Sequence, residues 1–74
     1  MIERRIINGA EVDFPSTDKL WLHVKTDGIY AVLCPAIIEA DLTPAVLYAK
    51  SGGDGTVWVR PVTEFLDGRF EVIQ

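Results

Sequence analysis

The sequence predicts an all-β domain of six or seven short strands, a small barrel or sandwich, with one short helix or 3₁₀ turn near residues 61–67. Three observations carry that expectation. Apolar and polar residues alternate with period two over most of the chain. Turn-forming clusters recur between the alternating runs. One segment alone, Pro61 to Gly68, carries helical punctuation. No repeat, low-complexity stretch or linker divides the 74 residues, so residues 1–74 read as a single domain.

The elements follow in order. Ile2 to Ile7 alternates and suits a first strand. Asn8-Gly9 comes next, the strongest short hairpin signal, because a type I′ turn needs positive φ at both central residues. Ala10 to Phe14 is the returning strand, and Pro15-Ser16-Thr17-Asp18 is turn chemistry. Leu20 to Lys25 alternates again, with Leu20, Leu22 and Val24 on one side and Trp21, His23 and Lys25 on the other. Thr26-Asp27-Gly28 makes a second tight turn. Ile29 to Leu33 is β-branched, aromatic and apolar, a good central strand, which Pro35 should end or distort for lack of a ladder donor. Ala36 to Thr43 suits either a strand or a helical turn. Ala45 to Lys50 and Thr56 to Arg60 are extended runs joined by the turn Ser51-Gly52-Gly53-Asp54-Gly55. In Pro61 to Gly68, proline suits a helix start, Glu64 lies near its positive end and Gly68 suits its stop. Arg69 to Ile73 closes the chain as a last strand.

Composition narrows the function classes. A chain of 74 residues buries only about 60% of its unfolded surface and is marginally stable without a supplement. Cys34 is the only cysteine and His23 the only histidine, so one copy offers neither a disulfide nor a common structural zinc site. By elimination a homo-oligomer is expected, and the 49% hydrophobic content suits apolar surface shared with another copy. The net charge of −4 argues against generic binding to a nucleic-acid backbone. No run approaches the roughly 18 apolar residues of a membrane span. Met1 to Arg5 lacks the apolar core of a signal peptide, and a lone cysteine suits a reducing compartment, so the expected location is cytoplasmic.

Two strands share an unusual composition. One shows Trp21, His23 and Lys25, the other Trp58 and Arg60, each opposite an aliphatic face of Leu20, Leu22 and Val24 or of Val57 and Val59. If the aliphatic faces make the core, the aromatic and cationic faces look outward together. Rings that stack and cations that meet phosphate or carboxylate suit a small anionic ligand such as a nucleotide. The same residue types serve barrel closure, where tryptophan packs and arginine lies along its ring with its head in water. Ser51 to Gly55 lacks the Gly-Lys-Ser/Thr ending of a phosphate loop and opens no helix, so it reads as a mobile hairpin loop. Cys34 reads as a small buried hydrophobe. The carboxylate pairs Glu11/Asp13 and Glu39/Asp41 read as solvated charges. No catalytic set and no metal site assembles within one chain, and no cofactor is implied.

With these residues in view, residues 21–74 resemble the bacterial and phage domain-of-unknown-function family numbered 1653. The likeness runs through Trp21-Leu22-His23-Val24-Lys25, Gly28-Ile29-Tyr30-Ala31-Val32 and Glu39 to Tyr48. Its most specific part is Gly53-Asp54-Gly55-Thr56-Val57-Trp58-Val59-Arg60-Pro61, with Phe65 and Arg69-Phe70 following. Asp27 adds one residue to the turn after Lys25. Cys34-Pro35-Ala36-Ile37-Ile38 stands where the family carries a histidine-bearing stretch, and residues 1–20 lie outside the likeness. The resemblance implies a compact SH3-like barrel and no particular activity.

The expectation for function is therefore a non-enzymatic, oligomeric binding module. It takes a small anionic ligand through Trp58, Arg60, Trp21, His23 and Lys25. The alternative is a protein-interaction module, an inhibitor or adaptor of phage or mobile-element type, acting through the N-terminal hairpin edge and exposed aromatics.

Overall fold

A computed structural model describes all 74 residues, Met1 to Gln74. The chain is mainly β, with seven short strands in two antiparallel sheets and one short helix. The order is β1 (Ile2–Ile7), β2 (Ala10–Pro15), β3 (Leu20–His23), β4 (Gly28–Ile38), β5 (Thr43–Lys50), β6 (Val57–Pro61), α1 (Val62–Phe65) and β7 (Phe70–Ile73). Strands β1 and β2 form a separate hairpin, and the other five pair in the order β6-β5-β4-β3-β7. The expected barrel is not closed, because β6 and β7 end the order as free edges.

The hairpin turn is as its sequence requires. Asn8 and Gly9 have φ of 51° and 81°, the two positive values of a type I′ connection. Inward, the hairpin sends Ile7 and Phe14 into the core; outward, Arg4 bridges Glu11 and Asp13 at 2.8 and 2.7 Å. Glu3 ties it to the turn that follows. Its carboxylate accepts from the Thr17 backbone N–H at 3.1 Å and from Arg5 Nε at 3.1 Å. Those bonds, the Thr17 amide foremost, hold the Glu3 carboxyl below its ordinary value of 4.5.

Strand β4 runs through Pro35 rather than stopping at it. The ladder shifts register between Val32 and Cys34, so Leu33 is an extra residue, and Pro35 then pairs with Val46. A bulge absorbs the missing donor by bending the strand and re-aiming the residues around it. Cys34, expected to be buried, is exposed as a result.

The larger correction concerns which face lies inside. Leu20, Val24, Val57 and Val59 are exposed, while Trp21, Val32, Val46, Tyr48 and Phe70 are buried. The reason is curl. Four strand spacings would separate β6 from β7 by about 19 Å in a flat sheet. Yet the Arg60 guanidinium of the β6 edge lies 5.5 Å from the ring centre of Phe70 in β7. The sheet therefore wraps its aromatic face around an interior filled from α1. Pro61 stands at the N-cap of that helix, and Phe65 from its last turn is fully buried.

Two outcomes test this account. Phe65→Ala removes about 3–5 kcal/mol, most of what a domain of this size holds. Circular-dichroism melts should show the midpoint falling by at least about 15 °C, or no cooperative transition. For Glu3 the depressed folded value means stability present above the ordinary carboxyl range and lost as pH falls through it. The midpoint should therefore drop between about pH 5 and about pH 3, and drop less in Glu3→Gln.

Candidate functional site

The open seam of the curl forms a cavity of about 610 Å³, lined by His23, Val24, Lys25, Arg60, Asp67, Gly68 and Arg69. Three places supply its charges. His23 ends β3, and the chain then turns back at once, with the amides of Thr26 and Asp27 both donating to the His23 carbonyl at 3.2 and 2.8 Å. Lys25 therefore rides on a turn, not on the strand expected for Leu20 to Lys25. Arg60 comes from the opposite edge. Arg69 comes from the turn before β7, where its carbonyl accepts from the Val24 amide at 3.0 Å.

Each side chain is held by what it touches. The His23 ring lies 4.8 Å from Phe70, and its Nδ1 meets Thr26 Oγ1 at 2.8 Å. Nδ1 is thus engaged by Thr26, and Nε2 is the ring nitrogen left over for a ligand. Gly28, opposite His23, lets Tyr30 close in; a Cβ there would meet Tyr30 Cε1 at 2.9 Å. Arg60 donates from Nε to the Tyr48 hydroxyl at 3.1 Å and lies over Phe70. Glu64 sits between two cations, 2.9 Å from Arg69 Nη1 and 3.9 Å from Arg60 Nη1. Asp67 adds a contact of 3.5 Å to the same Arg69 nitrogen. The second terminal nitrogens of both arginines are left unspent, as is the whole ammonium of Lys25, which has no ion pair. Those groups can meet a phosphate or carboxylate without breaking any bond already made.

The structure brings His23, Lys25 and Arg60 together and adds Arg69. It does not bring Trp21. That ring is 4% exposed, stands edge-on to Phe65 with centres 5.5 Å apart, and donates its N–H to the Ser16 carbonyl at 3.0 Å. Its place is the core, not an outward ligand face. Trp58 shares the face of β6 that carries Arg60 but stands outside the lining, half-exposed. Arg69 reads in the sequence only as the start of a strand. The cue was Asp67-Gly68 before it: Gly68 takes φ of 107°, turning the chain so that Arg69 meets Glu64.

The Ser51 to Gly55 loop takes no part in the cavity. Asp54 accepts from the backbone and hydroxyl of Thr56 at 3.0 and 2.7 Å, placing a carboxylate in the loop. A phosphate cradle needs amide donors there instead.

The division between core and cavity is testable at Trp21. Trp21→Phe loses the bond to Ser16 and costs roughly 1–2 kcal/mol in chemical denaturation. Any anion affinity measured for the folded protein should stay within about twofold, since the ring does not reach the cavity. No protein-family model, curated protein or solved structure matches the chain.

Proposed function

We propose that the protein is a binding module for a small anionic ligand, held in the cavity between the end of β3, the β6 edge and the turn before β7. The observation that supports it is the convergence of Lys25, Arg60, Arg69 and His23 on one opening, each with donors left unspent, in a chain whose net charge is −4. Glu64 and Asp67 balance part of the charge of Arg60 and Arg69, while Lys25 has no ion pair and leaves the opening a net cation for an anionic ligand. The volume lies within the range of small-molecule sites. Two arginine forks and an ammonium favour a ligand with several phosphate or carboxylate oxygens. Trp58, two residues from Arg60 on the same strand face, suits the planar part of a nucleotide, by stacking.

The test is thermal stability and calorimetry against nucleoside mono-, di- and triphosphates and small di- and tricarboxylates. A ligand at a hundred times its Kd adds about 2.7 kcal/mol, which raises the midpoint by roughly 10 °C or more. Lys25→Ala, which removes no ion pair, should weaken the best ligand about tenfold and leave the free protein's midpoint unchanged. Arg69→Ala should weaken it similarly. A panel that produces no shift at low salt sinks the proposal.

A further inference from the structure

The geometry of β6 points to a second copy of this chain as its partner: we infer a two-fold dimer in which the β6 edges pair antiparallel about Trp58. The pairing shares Trp58 and Arg60 with the proposed ligand site, but its test reads mass and cross-linking, not ligand binding.

Strand β6 pairs only with β5, so its other edge presents unpaired amides and carbonyls. Soluble proteins blunt such edges with lysine, proline, a bulge or a cover. None of these protects Val57-Trp58-Val59. The three side chains are uncharged and 48%, 52% and 55% exposed, and the bulge of this sheet lies in β4. The other free edge, β7, carries Glu71 within its four residues, whereas the charge and proline of β6, Arg60 and Pro61, stand at its end and leave Val57 to Val59 clear. Open edges of β-branched and aromatic residues are templates for another strand.

The sequence around Trp58 is its own complement. A two-fold axis at Trp58 sets Val57 against the partner's Val59, Val59 against the partner's Val57, and Trp58 against the partner's Trp58. It sets Thr56 against the partner's Arg60, so no like charges face each other. Neighbouring registers are worse. Centring on Arg60 opposes two arginines. Centring on Thr56 draws Gly55, with φ of 91°, into the ladder. A shift of one residue puts the aromatic face of one sheet beside the aliphatic face of the other. The Trp58 register continues the apolar row Ile73–Leu20–Ala31–Ala49–Val57 onto the partner's Val59, whereas centring on Val57 sets Val59 against the partner's Gly55 and centring on Val59 sets Val57 against the partner's Pro61. Pro61 at one end and Gly55 at the other limit the paired window to Thr56 to Arg60. So short a contact falls below the roughly 1,200 Å² of standard interfaces, and the dimer forms reversibly with concentration.

Sedimentation velocity over a roughly hundredfold concentration range in the micromolar regime tests it. The expected result is a shift from the 8.2 kDa chain toward twice that mass. Val59→Lys should hold the single-copy mass throughout, while Ile73→Lys on the far edge should leave the shift intact. A second measurement reads the register whatever those variants do to stability. In a Cys34→Ser background, Trp58→Cys puts the two α-carbons about 4.5–5.5 Å apart, inside disulfide range. Under mild oxidation it should cross-link at least tenfold faster than Ile73→Cys. A single-copy mass across the range, a dimer that survives Val59→Lys, or equal cross-linking at the two positions overturns the inference.

Discussion

The stack of Phe65 on Phe70, with ring centres 4.0 Å apart and planes 5° from parallel, is the contact on which the other features depend. Phe65 comes from a helix of four residues, too short to persist alone. Phe70 opens the last strand. The turn between them is short, so their stacking fixes where β7 begins relative to the end of β6. Trp21 and Tyr48 then meet Phe65 edge-on at 5.5 and 5.3 Å, and Tyr48 meets Phe70 at 5.4 Å. Each such ring removes on the order of 150–250 Å² from water. For a domain with few buried residues, this cluster supplies much of the hydrophobic stabilisation.

The cavity is a consequence of the same stack. Closing the two sheet edges around Phe65 leaves a seam, and Arg60 spans it. Its guanidinium lies over Phe70, bonds Tyr48 and reaches toward Glu64. Arginine suits that place because its stem and planar head tolerate an aromatic floor while remaining charged. Core and cavity therefore share residues. Lys25 makes no ion pair outside the cavity, while Arg69 also ties the turn before β7 to α1 through Glu64.

Much of the fold was legible in local chemistry. Asn8-Gly9 specified its turn, Pro61 to Gly68 its short helix, and the alternating runs most of the strands. The inward face was not legible, and the reason is physical. Period two divides a strand into two faces without saying which is buried. In the run Leu20 to Val24 the aliphatic side looks like a core by residue type. A strongly curled sheet has a concave interior that rings fill better than Leu and Val. Phe65, distant in sequence, decides the choice. The bulge at Leu33 was hidden for a similar reason: Pro35 announced a disturbance but not whether the strand would stop or bend. Of the site, His23, Lys25 and Arg60 were visible as residue types beside aromatics. Arg69 was not, because only the turn at Gly68 brings it there.

The inverted faces also account for the composition. A hydrophobic content of 49% suggests a large core, yet only 12 of 74 residues are buried. Part of the difference lies on the convex side, where Leu20, Ile29, Leu33, Val57, Val59 and Ile73 face outward, and part on the hairpin, at Ile2 and Ile6. Among the aromatics, Phe14, Trp21, Tyr48, Phe65 and Phe70 are buried and Tyr30 packs against them. Trp58 alone stands outside. In a chain whose other rings build the core, Trp58 stays half-exposed and outside that cluster. It sits on the open β6 edge, two residues from Arg60 on the same strand face.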